Sequence, residues 1–430
     1  MTSPRQLSVM IIGGGIGGLC LAHGLRRAGV DVTVHERTTA RTDWLQGYRI
    51  HINPHGSRAL HDCLDPAAWQ AFLGTVSDAG GGLGFATEQL ADLLRLRGEE
   101  IADSAEPAAR HYGVSRLSLR EVLLSGMDDV VRLGQDFERY ELLPDGRVMA
   151  CFADGTTAAA DVLIGADGAN SRVRAQLLPH AAGRVDTGVT GIAGKHRLDG
   201  PLAASLPAAL TDDTNIVIPA GEGFLFTAVW KHDRRAVAAD PAMPAGFLLD
   251  NTADYTFWAY ADATARFPAD VDALAGQQLT ALVLERTRGW SPALRQLIEG
   301  SDPSTVNVVR MRSAVPVGPW PTGVVTLLGD AIHSMTPMAG VGANTALRDA
   351  DLLRRQLTAV SRGEQQLVPA LADYERQMLD YGFAAVRESA RNTRQAGSAS
   401  RMGRAAFRGV LRAVAAVPAL RRRMAASIGG

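Results

Sequence analysis

The reading of this chain turns on residues 324–351, VVTLLGDAIHSMTPMAGVGANTALRDAD. The apolar run 324–328 predicts a buried strand. Gly329 ends it, Asp330 offers a carboxylate at its tip, and a Pro- and Gly-rich loop then opens a helix near Ala343. A carboxylate at a strand end beside a helix start is a site for a large polar cofactor. A second such signal stands at residues 7–36. A strand over 7–12 runs into Gly13, Gly15, Ile16, Gly17 and Gly18, a helix follows over 16–28, and a second strand over 31–36 ends at Glu36 and Arg37. This is a βαβ opening whose glycines permit a tight turn, approach of a pyrophosphate to backbone, and close helix–strand packing. Glu36 stands where an acid commonly meets ribose hydroxyls.

Composition bounds the rest. A chain of 430 residues predicts two intimately packed domains. Hydrophobic content of 46%, charged content of 21% and a net charge of −1 describe a globular enzyme with no global bias towards nucleic acid. Cys20, Cys63 and Cys151 are odd in number and lack metal-type spacing, so neither a disulfide framework nor a metal site is suggested, and a reducing cytoplasm fits. The early apolar run 9–12 is too short for a signal-peptide core, and no run approaches the roughly 18 apolar residues of a membrane span.

A third motif lies at 161–174, DVLIGADGANSRVR, where a buried strand meets Asp167 and Gly168 and a helix begins near Arg172. Between about 185 and 305 the pattern changes to aromatic-rich alternation, GFLFTAVW (223–230) and DYTFWAYA (254–261), which predicts antiparallel strands of a separate sheet. Phe224, Phe226 and Trp258 there either pack against covering helices or line an apolar substrate cavity. Past about 363 the sequence is helical. No acidic residue follows Glu388, and Arg401, Arg404, Arg408 and Arg412 fall at helical spacing opposite Phe407, Val410, Leu411 and Val414. Such a helix suits an anionic membrane surface, but docking on the enzyme body or a partner subunit is the expected use.

With the three motifs in order, the chain resembles the flavoprotein monooxygenases of the aromatic hydroxylase type, those with the para-hydroxybenzoate hydroxylase fold, over about residues 7–385. The resemblance implies an α/β architecture: a Rossmann-like FAD-binding domain assembled from discontinuous segments (1–78, 106–182 and 305–385), an excursion at 79–105, an antiparallel-sheet substrate domain at 183–304, and C-terminal helices at 386–430. It also implies tightly but non-covalently bound FAD, with Glu36 on the adenosine ribose, Asp167 buttressing the pyrophosphate region, Arg116 on the phosphate or ribityl segment, and Gly329 with Asp330 at the ribityl chain. Gly340, Val341, Gly342 and Ala343 would meet the pyrimidine edge of the flavin, Asn344 would hold the loop or the flavin, and His333 would pack beneath it. Pro337 would border the substrate pocket. Residues 47–51 resemble the family strand beside the ring, which makes Arg49 and His51, with His55, candidates for contact with flavin or substrate, or plain surface groups of an alternating strand.

The implied activity is NAD(P)H-consuming insertion of one oxygen atom from O2, through a C4a-hydroperoxyflavin, into an aromatic or polyketide-like small molecule, with NAD(P)H binding transiently. Competing readings are a Baeyer–Villiger or epoxidising enzyme, a flavin-dependent halogenase (whose WxWxIP segment is absent here), an oxygen-independent reductase, and a non-enzymatic flavin-binding protein. The chain is expected to be cytoplasmic, a monomer or a homodimer, without nucleic acid, metal or a transmembrane segment.

Overall fold

The structure is a computed structural model that describes residues 6–39, 49–77, 81–101, 104–200, 203–231 and 254–429. Its organising element is a five-stranded parallel sheet built from Ser8–Ile12, Asp31–Glu36, Val131–Leu133, Val162–Gly165 and Val325–Leu327. Ser8–Ile12 is the middle strand. It pairs with Asp31–Glu36 on one side and with Val162–Gly165 on the other, and Val325–Leu327 closes that flank. Strands buried on both faces are mostly apolar, which is why VMII and VLI read as continuous runs rather than alternating ones; VTL carries one buried polar residue, Thr326. Thus all three motifs lie at the carboxyl ends of three adjacent strands.

Glycine lets the first helix, Ile16–Arg27, lie against this sheet. A Cβ on Gly17 would stand 2.6 Å from Leu328 Cδ2, and one on Gly18 would stand 2.3 Å from the Gly13 carbonyl oxygen. Gly13 itself has φ +111°, and its Cβ would fall 2.4 Å from the Ala166 carbonyl oxygen, so the motifs at 7–36 and 161–174 touch there through backbone. The helix Gly342–Ser361 covers Ile16–Arg27 and the helix Pro54–Cys63, and the long helix Leu367–Ala396 packs on it in turn.

The second body is a seven-stranded sheet in the order Asn307–Ala314, Arg184–Arg197, Tyr255–Ala263, Phe224–Trp230, Thr214–Val217, Leu83–Ala86, Asp92–Leu96. It is mixed rather than wholly antiparallel, because Thr214–Val217 pairs in parallel with Leu83–Ala86. Residues 83–96 thus supply two strands from early in the chain. Asn307–Ala314, which the sequence places with the returning cofactor segment, instead pairs with Arg184–Arg197 and extends the second sheet to Ala314. The helix Leu367–Ala396 likewise runs unbroken through the boundary expected at 385. One face of this sheet is sealed by the helices Gly276–Arg286 and Pro292–Glu299, through Leu279, Val283, Leu294, Leu297 and Ile298. The other faces the cofactor domain.

Replacing Gly13 with alanine combines a left-handed φ with a backbone clash. It should lower the unfolding free energy in urea by about 1–3 kcal/mol; unchanged stability would contradict the close contact with Ala166.

Candidate active site

Three strand ends frame a groove. At the first, the helix Ile16–Arg27 starts without a side-chain cap, so its leading amides are open to a ligand. A Cβ at Gly15 would meet nothing within 4 Å, so the space ahead of this helix is clear. Glu36 is buried, with one carboxylate oxygen accepting from Gly14 N at 2.6 Å and the other from Thr38 N at 3.0 Å. It therefore clamps the glycine turn, a duty that the spacing of the motif does not announce, and its remaining lone pairs are left for hydroxyls. Arg37, the next residue, is exposed.

At the second strand end, Asp167 Oδ2 accepts from the Arg172 and Val173 amides at 2.8 and 3.3 Å, and Ser171 Oγ accepts from Arg174 N at 2.8 Å. Both residues cap the short helix Arg172–Leu177. Asp167 Oδ1 is buried with no hydrogen-bond partner, and desolvation raises the pKa of this carboxyl. A buried orphan acceptor beside an open groove marks a place for a donor from a bound molecule.

At the third, Gly329 has φ +64° and Asp330 opens the four-residue helix Asp330–His333 with its side chain exposed. The loop continues through Pro337–Ala339 to Gly340, at φ +66° with nothing within 4 Å of its Cβ position. Val341 caps Gly342–Ser361 without a side-chain bond, leaving the amides of Gly342 and Ala343 directed outward. Asn344 is fully engaged: Oδ1 accepts from Asn53 N at 2.8 Å, and Nδ2 donates to the carbonyls of His51 at 2.8 Å and Gly340 at 3.4 Å. Of its two expected uses, the structure places it in holding the loop, where it staples the strand Arg49–Ile52 to the helix start.

Beneath the motif lies a network that the sequence signals only through His333. Asp349 Oδ2 accepts from Gly329 N at 2.8 Å and pairs with His333 Nε2 at 2.7 Å, while Oδ1 accepts from Tyr381 OH at 2.6 Å. Burial opposes protonation of His333, but the charge and hydrogen bond of Asp349 outweigh it and raise the imidazole pKa. A second missed residue is Arg120, buried one turn after the exposed Arg116, whose Nε donates to the Gly14 carbonyl at 3.2 Å.

Opposite the groove, strand pairing settles which side chains share the inner face of the large sheet. Phe224 pairs with Ala261, Phe226 with Ala259, Ala228 with Phe257 and Trp230 with Tyr255, so Phe224, Phe226 and Phe257 stand together. Their rings are only partly buried, and Phe226 meets Phe257 edge-on at 6.3 Å. Phe224 and Met338, the residue after Pro337, pack against the same small cluster of Val189, Ala261 and Met311, which links this face to the loop. Trp258 does not belong to the set. Alternation turns it to the opposite face, where it is fully buried and Nε1 donates to Ser301 Oγ at 2.6 Å. Phe257, not Trp258, shares the face of Phe224 and Phe226.

The strand Arg49–Ile52 closes one side, paired with Tyr112–Ser115; Gly47 and Tyr48 lie outside the described residues. Arg49 Nε is buried without a hydrogen-bond partner, and desolvation lowers the guanidinium pKa. His51 Nε2 contacts His111 Nδ1 at 2.8 Å with the rings stacked. His51 is exposed, although Arg49 and His111 crowd the ring from the protein side. Burial first, then Arg49 and His111, drive its pKa from 6.5 down to about 3. His55 is exposed.

The groove fits FAD on the chain's own features: uncapped helix starts, glycines open to the space before them, and an orphaned carboxylate oxygen. Comparison with known proteins agrees. Residues 11–73 match the NAD(P)-binding Rossmann-like domain, and residues 294–389 match the FAD binding domain. The chain is 32% identical over 379 residues to the aurachin C monooxygenase/isomerase of Stigmatella aurantiaca, covering 86% of this chain and 84% of that protein. It is 31% identical over 388 residues to the dual O-methyltransferase/FAD-dependent monooxygenase elcB of Phaeosphaeria nodorum, covering 84% of this chain but only 41% of that protein. The chain thus spans about two fifths of the length of such dual enzymes. A crystal structure described as an FAD containing monooxygenase from Photorhabdus luminescens superposes with a TM-score of 0.81 at 37% identity, covering 91% of this chain and 98% of that one.

The depressed pKa of His51 has a measurable sign. Below pH 6.5 the unfolded chain takes up a proton that the folded chain refuses, so the stability this residue contributes is complete above 6.5 and is lost as pH falls towards about 3. Urea titrations of wild type and His51→Asn should converge with acidification across that window; a constant difference would show that His51 titrates in the fold as it does in the unfolded chain.

Proposed function

We propose, from the premise that this chain belongs to the FAD-dependent monooxygenases, that it inserts one oxygen atom of O2 into an aromatic or polyketide-like small molecule at the expense of NAD(P)H. The observation that supports this reading is a partly open aromatic face, Phe224, Phe226 and Phe257, whose Phe224 end shares the cluster of Val189, Ala261 and Met311 with Met338 of the loop Pro337–Ala339. Bound FAD would supply electron transfer and activation of oxygen.

The chain's own residues then have defined duties. Gly13, Gly15, Ile16, Gly17 and Gly18 form the turn and helix start that receive the pyrophosphate, with Arg116 beside it, while Asp167 Oδ1 faces the cofactor as an acceptor for one of its donors. Glu36 holds that turn closed and presents its free lone pairs to the ribose. Asp330, exposed at its strand tip, takes the ribityl hydroxyls, and the amides of Gly342 and Ala343 face the pyrimidine edge. There the positive end of a 20-residue helix favours added negative charge by roughly 0.3–2 kcal/mol. The aromatic face seats the substrate ring and excludes water. His51, whose pKa is lowered by desolvation, Arg49 and His111, offers a hydrogen-bonding group beside the groove.

Two variants separate binding from folding. Gly15→Ala and Asp330→Ala should leave urea stability within about 0.5 kcal/mol of wild type while weakening FAD retention by roughly tenfold; full retention in both would remove the groove assignment. For activity, FAD-saturated enzyme is presented with aromatic and polyketide-like compounds and NAD(P)H oxidation is followed. Stimulation by substrate, and its loss in Phe226→Ser, is the expected outcome. No stimulation by any such compound would end the hydroxylase reading.

A further inference from the structure

The C-terminal helices Arg401–Ala416 and Pro418–Gly429 leave an outer face that no solvated helix needs. They are firmly seated on the enzyme. Leu411 and Ala425 are buried in a cluster with Phe85, Leu94 and Ile218 at the edge of the large sheet. Buried Arg404 donates Nη1 to the Gly223 carbonyl at 2.7 Å and Nη2 to the carbonyls of Ala396 and Ser398 at 3.1 and 2.9 Å. Arg408 pairs with Glu88 at 3.3 Å and Arg421 with Glu100 at 2.6 Å. The outward side of this fixed platform is dry: of the exposed positions between 402 and 420, Arg412 alone is polar. Met402 is 85% exposed, Val410 57%, Leu420 44%, and Phe407 and Val417 42% each. A contiguous apolar surface of this kind marks a place where something docks.

Charge selects the occupant. Residues 389–430 carry nine arginines and no aspartate or glutamate. Arg401, Arg412, Arg422 and Arg423 are exposed along this platform and form no ion pair among the described residues. A second copy packed face to face across a two-fold axis would bring this arginine-rich segment against its own copy, with no acid in either to pair with the arginines. A surface that takes apolar side chains into its boundary while offering negative headgroups satisfies both features at once.

We propose that this face docks the enzyme on an anionic lipid surface. Met402, Phe407, Val410, Val417 and Leu420 enter the headgroup boundary, and the unpaired arginines meet the lipid charge. Because Arg404 grips Gly223, the residue before Phe224, docking holds the Phe224 end of the aromatic face near the bilayer. An apolar substrate dissolved in lipid then has a short path to the enzyme. That last step rests on the monooxygenase reading; the docking itself does not.

The test is sedimentation of the full-length FAD-bound protein with vesicles. Binding to phosphatidylcholine containing about 30% phosphatidylglycerol, little binding to phosphatidylcholine alone, and release by added salt are expected. Val410→Glu, and separately the joint replacement of Arg412, Arg422 and Arg423 by glutamate, should each reduce binding roughly tenfold or more, with flavin absorbance and melting temperature unchanged as the check on folding. Wild-type protein that stays in the supernatant with anionic vesicles would overturn the proposal. So would a dimer in sedimentation equilibrium that Val410→Glu dissociates, since that would identify a second copy as the occupant.

Discussion

One carboxylate does more to define the cofactor groove than any residue facing it. Asp349, fully buried on the helix Gly342–Ser361, receives the Gly329 amide, the His333 imidazole and the Tyr381 hydroxyl. These donors come from the end of a strand, the short helix after it, and the long helix Leu367–Ala396. A buried anion with three donors is far less tolerant of displacement than a surface pair, because losing one donor leaves charge unsatisfied in a low-dielectric setting. The turn carrying Asp330 is therefore fixed from behind, and Asp330 is left exposed towards the groove.

A second staple works with it. Asn344 spends both ends of its amide on the backbone of residues 51 and 53 and of Gly340, so the strand beside the groove and the helix that points into it move as one piece. Arg120 and Glu36 do the same for the glycine turn, one holding the Gly14 carbonyl and the other its amide. Preorganisation of this kind, in which buried side chains hold the backbone that would meet the ligand, is what a large cofactor requires if binding is not to order the loops anew.

How much of this is legible in the sequence depends on whether the information is local. The central parallel strands are plain, because burial on both faces favours near-continuous apolar runs, and glycines at their ends mark the turns. The phase of the aromatic strands is not. Tyr255 and Phe257 alternate with Thr256 and Trp258, so aromatic residues stand on both faces, and only pairing shows that Phe257 looks inward while Trp258 is sealed against helices. Asn307–Ala314 joins the large sheet through partners more than 100 residues earlier, which no local pattern records. Asp349, Tyr381 and Arg120 look like ordinary polar positions of amphipathic helices. What sets Asp349 and Arg120 apart is burial, and Tyr381 its bond to Asp349, both tertiary properties.

The strand order has a consequence for how the protein comes into being. The central strand Ser8–Ile12 finds one partner at once in Asp31–Glu36, but the other, Val162–Gly165, is synthesised some 150 residues later, and the edge strand Val325–Leu327 later still. On a ribosome the glycine turn would emerge beside an unfilled sheet edge, and the carboxylate that fixes Asp330 would not yet exist. Contacts so distant in sequence are slow to close and leave edges exposed meanwhile. The groove is thus assembled last, and a nascent chain has no complete place for its cofactor until nearly the whole of the fold is in hand.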